Sequence, residues 1–182
     1  MPYGVAKKTE DIDMSEIRLP ESGLREEILS KNLGELHLVT FSLGEYYGVD
    51  ISQVQEIIRV GTITAVPNSP SYMEGVINLR GRILPVLNLR KKLSLTPKEI
   101  TKDSRIVVTE VNGKLLGLLV DSVSHVIKIP SDAVEPAPEE VLEIDTDYIT
   151  GVCNLDNRLI ILLDLERLLK REKIKTEEEK EV

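Results

Sequence analysis

Tryptophan is absent from this 182-residue chain, cysteine occurs once, histidine twice, and the aromatics are one Phe and five Tyr. Each shortage excludes something. Cys153 has no second cysteine with which to form an internal disulfide, so the chain does not read as a stapled secreted domain and fits a reducing compartment. So few aromatics leave little on which to stack bases, and a formal charge of −8 opposes the counterion release that drives phosphate binding. No nucleic-acid partner is expected. No run approaches the roughly 18 apolar residues of a membrane span. Leu115–Val120, interrupted by Gly117, is among the longest, and MPYGVAKKTEDIDMSE at the start has no secretory apolar core. These features predict a cytoplasmic chain with no direct membrane insertion. What is abundant is aliphatic: 41% of residues are apolar, chiefly Val, Ile and Leu, enough to fill a core.

Composition divides the chain into three zones. Residues 1–35 carry eight acids and five bases with scattered apolar positions, and read as a flexible or partly helical arm. Within it, Leu24, Ile28 and Leu29 behind Ser22 suggest a short helix over Glu21–Lys31. Residues 170–182 form a charged tail of both signs. Between them, 36–169 holds the β-branched runs. Leu36–Leu43 turning at Gly44-Glu45, Gly75–Leu79 turning at Arg80-Gly81, and Arg105–Val111 turning at Asn112-Gly113 read as hairpins. Pro85 lacks an N–H, which predicts an edge strand or a break there. Helical signals are short: Ile51–Ile58, Leu89–Leu93 and the stretch from Asp164.

An internal repeat organises this middle. Residues 75–93 align without gaps to 151–169, with eight of nineteen positions identical. Upstream, Gly44–Val60 aligns to Gly113–Ile129, matching Gly48 with Gly117 and Val54 with Val123. Strand-rich units without long helices predict an all-β fold with a few short helices, as two packed five-stranded barrels. Consecutive division places one barrel at roughly 37–100 and the other at roughly 104–165. Units this small are marginal alone, so a shared apolar seam is expected between them.

Catalytic signals are few. No phosphate-binding glycine loop, zinc-helix motif, CxxC pair or GxSxG elbow occurs, and no cofactor is expected. Asp121, Ser122 and His125 superficially suggest a compressed triad. Neighbouring strand residues point to opposite faces, however, so they cannot form one hydrogen-bonded relay. Glu139, Glu140, Glu143, Asp145 and Asp147 follow Pro136 and Pro138 and lack calcium-loop spacing, so they read as a solvated loop. Cys153 reads as a small buried apolar group, and His37 as a strand residue.

Charge is segregated along the chain. Residues 59–98 carry seven bases against one acid, net +6, and residues 99–147 four bases against eleven acids, net −7. Such asymmetry suits oriented docking of protein partners, and it is also what two solvated loops would show. If Ile51–Ile58 is helical, Ile51, Val54 and Ile57 share a face. That face serves either the core or an apolar groove for a partner helix.

At these residues the sequence resembles the CheW-like family of chemotaxis coupling proteins. The resemblance covers 36–169 and rests on five blocks: Val49–Ile57, Ile63–Pro67, Gly75–Arg90, Gly117–Val123 and Tyr148–Gly151. It implies two SH3-like barrels in a non-enzymatic adaptor linking the histidine kinase CheA to the cytoplasmic tips of methyl-accepting receptors, in arrays beneath the inner face of the membrane. It further implies a receptor groove between the barrels that includes Ile51, Val54, Glu56, Ile57, Arg80 and Val123. Glu56 and Arg80 are expected to pair and to fix the short helix against the first barrel. The kinase-facing surface would lie around Pro67, Tyr72 and Gly75. The alternatives are a regulatory module of another chemosensory pathway, driving pili or another output, and a small-barrel nucleic-acid binder, which the charge opposes.

Overall fold

The computed structural model describes residues 17–18, 34–138 and 146–169. Among the described residues eleven strands carry the fold: β1 (Ile17–Arg18), β2 (Glu35–Leu43), β3 (Glu45–Asp50), β4 (Val54–Arg59), β5 (Met73–Leu79), β6 (Arg82–Asn88), β7 (Arg105–Val111), β8 (Lys114–Val120), β9 (Ser122–Pro130), β10 (Ile149–Leu155) and β11 (Arg158–Leu163). One short helix, α1 (Leu89–Lys92), and three 3-10 turns join them, and 165–169 is helical, as the run from Asp164 predicts. The Glu21–Lys31 segment, most of the acidic loop and the charged tail lie outside the described residues.

The strands form two SH3-like barrels, but not by consecutive division. Barrel I has the order β1-β4-β7-β8-β6-β5, and barrel II the order β10-β11-β3-β2-β9. Each barrel therefore takes one hairpin from one repeat and three strands from the other. This corrects the 37–100 and 104–165 boundaries. The cause is local. Asp50 and Val54 are both extended, and only the 3-10 turn Ile51–Gln53 separates them, so the chain runs on into the other sheet instead of folding back. A single residue, Asp121, makes the return crossing from β8 to β9.

The repeat itself is visible in the registers. β11 runs parallel to β3 with Leu162 opposite Gly48, and β6 runs parallel to β8 with Val86 opposite Gly117. The bulges at Met73/Gly75 and Ile149/Gly151 also correspond. So do the isolated bridges Thr64–Val76 and Glu135–Val152. The Asn112-Gly113 and Arg80-Gly81 turns have positive φ at both residues, the pattern of a type I′ hairpin.

Three sequence expectations change. Ile51–Ile58 is not a helix: only Ile51–Gln53 turns, capped by Asp50 Oδ1, which accepts the Ser52 N–H at 2.9 Å. Beyond it the β-branched Val54, Ile57 and Ile58 are better placed on a pleated strand between β1 and β7. Pro85 sits on an interior strand, because the parallel pairing with β8 begins one residue later, at Val86. The arm is not wholly separate either, since Ile17–Arg18 adds to the edge of β4.

Three apolar cores result. Leu38, Ile127, Ile129, Cys153, Ile160 and Leu162 fill barrel II, and Ile77, Leu84, Val86, Ile106, Val108 and Leu119 fill barrel I. The third is the expected seam. Val39, Phe41, Tyr47 and Val49 from barrel II meet Val54, Ile57, Leu87, Val107 and Leu118 from barrel I. Each such side chain contributes about 1.5–3 kcal/mol on burial, so the seam holds the barrels as one body. The lone Phe is spent here, stacked on Tyr47 with ring centroids 6.1 Å apart.

His37 on β2 is 5% exposed, and its Nε2 has no hydrogen-bond partner among the described residues. Burial holds its pKa below the ordinary 6.5, reinforced by Lys128 and opposed by Glu35 and Asp50. The unfolded chain therefore takes up this proton first as pH falls. The His37 contribution to stability is complete above pH 6.5 and is lost as pH falls through the lower folded value. Thermal unfolding between pH 8 and pH 5.5, both chosen to be about one unit or more beyond 6.5, should show a steeper fall in wild type than in His37→Gln. Equal slopes would exclude His37 as the source.

Candidate partner-binding site

The residues expected to line one groove occupy three different settings. Val54 and Ile57 have no exposed surface and belong to the seam, so they support a binding surface from behind instead of lining it. Alternation explains this: with the bulge between Val54 and Glu56, Val54 and Ile57 turn to the seam while Glu56 and Ile58 turn the other way, Ile58 onto the barrel I core. Ile51 and Val123 are half-buried and rest on the same seam, together with Leu116 and Val126, which sequence reasoning did not single out. Val54 and Val123 are repeat equivalents, yet only Val123 is accessible.

Glu56 and Arg80 pair as expected. Arg80 Nη1 and Nη2 donate to the two Glu56 carboxylate oxygens at 2.6 and 2.8 Å. The side chain of Glu56 is 8% exposed and that of Arg80 59%. These hydrogen bonds, with the Glu56 charge, raise the Arg80 pKa further above its ordinary value. The pair does not fix a helix. It joins β4 to the β5–β6 turn, elements at opposite sides of the barrel I sheet, and so ties that barrel closed. Arg80 reaches across because it occupies the turn tip with φ 52°.

A cleft of about 570 Å³ opens beside this pair, lined by Leu79, Ile83 and Leu115 and edged by Arg82 and Lys114. Ile83 is 75% exposed, the most open of the large apolar side chains among the described residues. Barrel II has the repeat-equivalent cleft at Tyr46, His125, Leu155, Asp156 and Arg158, with about 140 Å³. There His125 replaces Glu56 and Asp156 replaces Arg80, so the two barrel ends have diverged in size and charge.

The three kinase-side candidates also separate. Pro67 is exposed beside Val66, itself 41% exposed, on the loop between β4 and β5. Tyr72 is half-buried. Its carbonyl accepts the Asn88 N–H at 2.7 Å, and Lys92 Nζ sits 4.1 Å above its ring. Gly75 is buried, and its role is backbone packing: a Cβ there would lie 2.3 Å from the Thr64 carbonyl oxygen. Tyr72 and Gly75 thus anchor the loop whose exposed tip is Val66-Pro67.

The basic and acidic stretches of the sequence meet at Asp121. Arg90 pairs with it at 2.5 Å and Lys98 lies 3.8 Å from the same carboxylate, whereas Lys91 lies 3.9 Å from Glu74 of its own stretch. Cys153 is buried in barrel II, and burial pushes its thiol pKa up, away from reactive thiolate.

Two SH3-like barrels sharing a seam, with half-buried apolar positions along it and salt-bridged joints, define an all-β chain of the paired-barrel class. The CheW-like domain matches residues 37–173. This chain belongs to the CheW-like domain family. It is 37% identical over 142 residues to the probable chemotaxis protein CheW of Rhizobium etli, covering 78% of this chain and 92% of that protein. It is 35% identical over 148 residues to the chemotaxis protein CheW of Klebsiella aerogenes, covering 81% and 89%. The crystal structure of the scaffolding protein TtCheW from Thermoanaerobacter tengcongensis matches with a TM-score of 0.68 at 40% identity, over 73% of this chain and 91% of that one.

Proposed function

We propose that this chain is a non-enzymatic adaptor that couples methyl-accepting chemoreceptors to the histidine kinase CheA in chemotaxis signalling arrays at the cytoplasmic face of the membrane. The observation that carries this reading is the agreement of family, paired-barrel fold and coverage over nearly the whole described chain. A receptor's helical hairpin rests on the seam margin at Ile51 and Val123, above the buried Val54 and Ile57. Glu56 and Arg80 hold the neighbouring barrel wall in shape. The kinase regulatory domain meets barrel I around Val66-Pro67, on the loop that Tyr72 and Gly75 anchor. An apolar margin suits this work, because helix-in-groove recognition needs accessible aliphatic side chains on a rigid support.

Titration of the purified protein with a receptor cytoplasmic fragment, and separately with the kinase regulatory domain, tests the reading. Binding of both at about 1–50 μM, the range corresponding to roughly 6–8 kcal/mol, with a ternary complex on mixing, is the expected result. Absence of both interactions at those concentrations overturns it.

A further inference from the structure

We propose that Arg90 is a positioning residue for the receptor margin: through Asp121 it fixes the crossing from barrel I to barrel II, and with it the Val123 wall. The inference rests on the adaptor reading above.

Arg90 lies in α1, directly after β6, and its guanidinium gathers three segments, two of them distant in sequence. Nε and Nη2 donate to the two Asp121 oxygens at 2.8 and 2.5 Å. Nη1 donates to the Thr96 carbonyl at 2.8 Å, holding the linker between β6 and β7. The β2–β3 turn of barrel II packs on the same group, since a Cβ built on Gly44 would lie 3.6 Å from Arg90 Nη2. Asp121 is itself tied to barrel II, its N–H donating to the Ser42 carbonyl at 3.1 Å. Both side chains are largely withdrawn from solvent, at 14% and 13% exposure, so the bidentate pair is little screened. Val123 follows two residues later and lines the same polar cleft as Arg90, Asp121 and Lys98.

The other crossing is built differently. Ile51–Gln53 is held by its own Asp50 cap, and the repeat equivalent of Arg90 is the exposed Glu166. The Val123 side is held by the long-range Arg90–Asp121 pair. The seam keeps the barrels together without it, so losing the pair should loosen the crossing and leave the fold standing. Lysine would not replace it fully, because the guanidinium fork matches two carboxylate oxygens and a carbonyl at once.

Arg90→Ala, Arg90→Lys and the charge swap Arg90→Asp/Asp121→Arg test the proposal. Affinities for the receptor fragment and for the kinase regulatory domain are measured on preparations shown folded by circular dichroism, with amide exchange followed at Asp121–Val123. Arg90→Ala should weaken receptor binding about tenfold, within the usual range of coupling between linked sites. Kinase binding should stay within about twofold, a change too small to indicate coupling. Exchange at Asp121–Val123 should accelerate, and Arg90→Lys and the swap should recover part of each loss. Unchanged receptor affinity in folded Arg90→Ala, or equal loss of both partners in step with melting temperature, overturns the positioning role alone. Wild-type protein that binds no receptor fragment overturns it together with the adaptor reading.

Discussion

Gly75→Ala should lower the melting temperature by about 10 °C, from a destabilisation of about 3–4 kcal/mol in a chain this size. The modest change of one methyl is large here for two reasons. Gly75 has φ 151°, a conformation that L side chains rarely adopt. The new Cβ would also lie 2.3 Å from the Thr64 carbonyl oxygen and 2.8 Å from Ile63 Cγ2. The obstruction is backbone, and that backbone is fixed: Thr64 and Val76 exchange hydrogen bonds of 2.9 and 2.8 Å in the bridge that pins the loop onto β5. Relief requires breaking this bridge, which frees the loop carrying Val66 and Pro67. Differential scanning calorimetry of Gly75→Ala beside Gly81→Ala separates clash from backbone strain, since Gly81 also has positive φ but open space around its Cβ position. Equal, small shifts for both would show that the bridge yields. The same reasoning governs any kinase-binding defect at Gly75: it should scale with loop disorder, whereas a Pro67 variant should weaken binding with little change in melting temperature.

The hairpins could be read from the sequence because their determinants are local. Asn112-Gly113 supplies two positive-φ residues between β-branched runs, and no distant contact is needed to make that turn. The exchange of hairpins between barrels could not be read in this way. The same strands with the same turns satisfy either pairing, and the choice is made by extended geometry at Asp50 and Val54 and by the seam. Ile51–Ile58 misled for a related reason: a bulge between Val54 and Glu56 breaks the period of two, leaving apolar spacings that also suit a helix turn. The accessibility of the residues expected to line a groove was legible only in part. Ile51 and Val123 lie at the seam margin, whereas the burial of Val54 and Ile57 depends on partners far away in sequence. Arg90 and Asp121 stood within recognised blocks, but a sequence shows only their charges. Their 31-residue separation conceals the contact.

Arg80→Ala should impair receptor binding more than Glu56→Gln, and more than the double variant Arg80→Ala/Glu56→Gln. The asymmetry follows from burial. Arg80 keeps most of its surface in water even when paired, whereas the Glu56 side chain is 8% exposed. Removing Arg80 leaves a withdrawn carboxylate with its bidentate partner gone, and the local structure must move to hydrate it. Removing the Glu56 charge leaves only a solvent-facing cation, which water satisfies. Taking away both charges spares the wall of barrel I from either fate. Strand β1 pairs with β4 here, with Arg18 opposite Glu56 in the ladder, so a shift of Glu56 also disturbs that pairing. Arg80→Lys should restore little, because an ammonium cannot reproduce two parallel N–H donors. In a double-mutant cycle on receptor-fragment affinity, the coupling expected for a direct pair corresponds to about tenfold. Melting temperatures should follow the same order, with Arg80→Ala lowest. Independent, additive losses would mean that the pair is merely tolerated at the barrel wall, and that each side chain meets the receptor by itself.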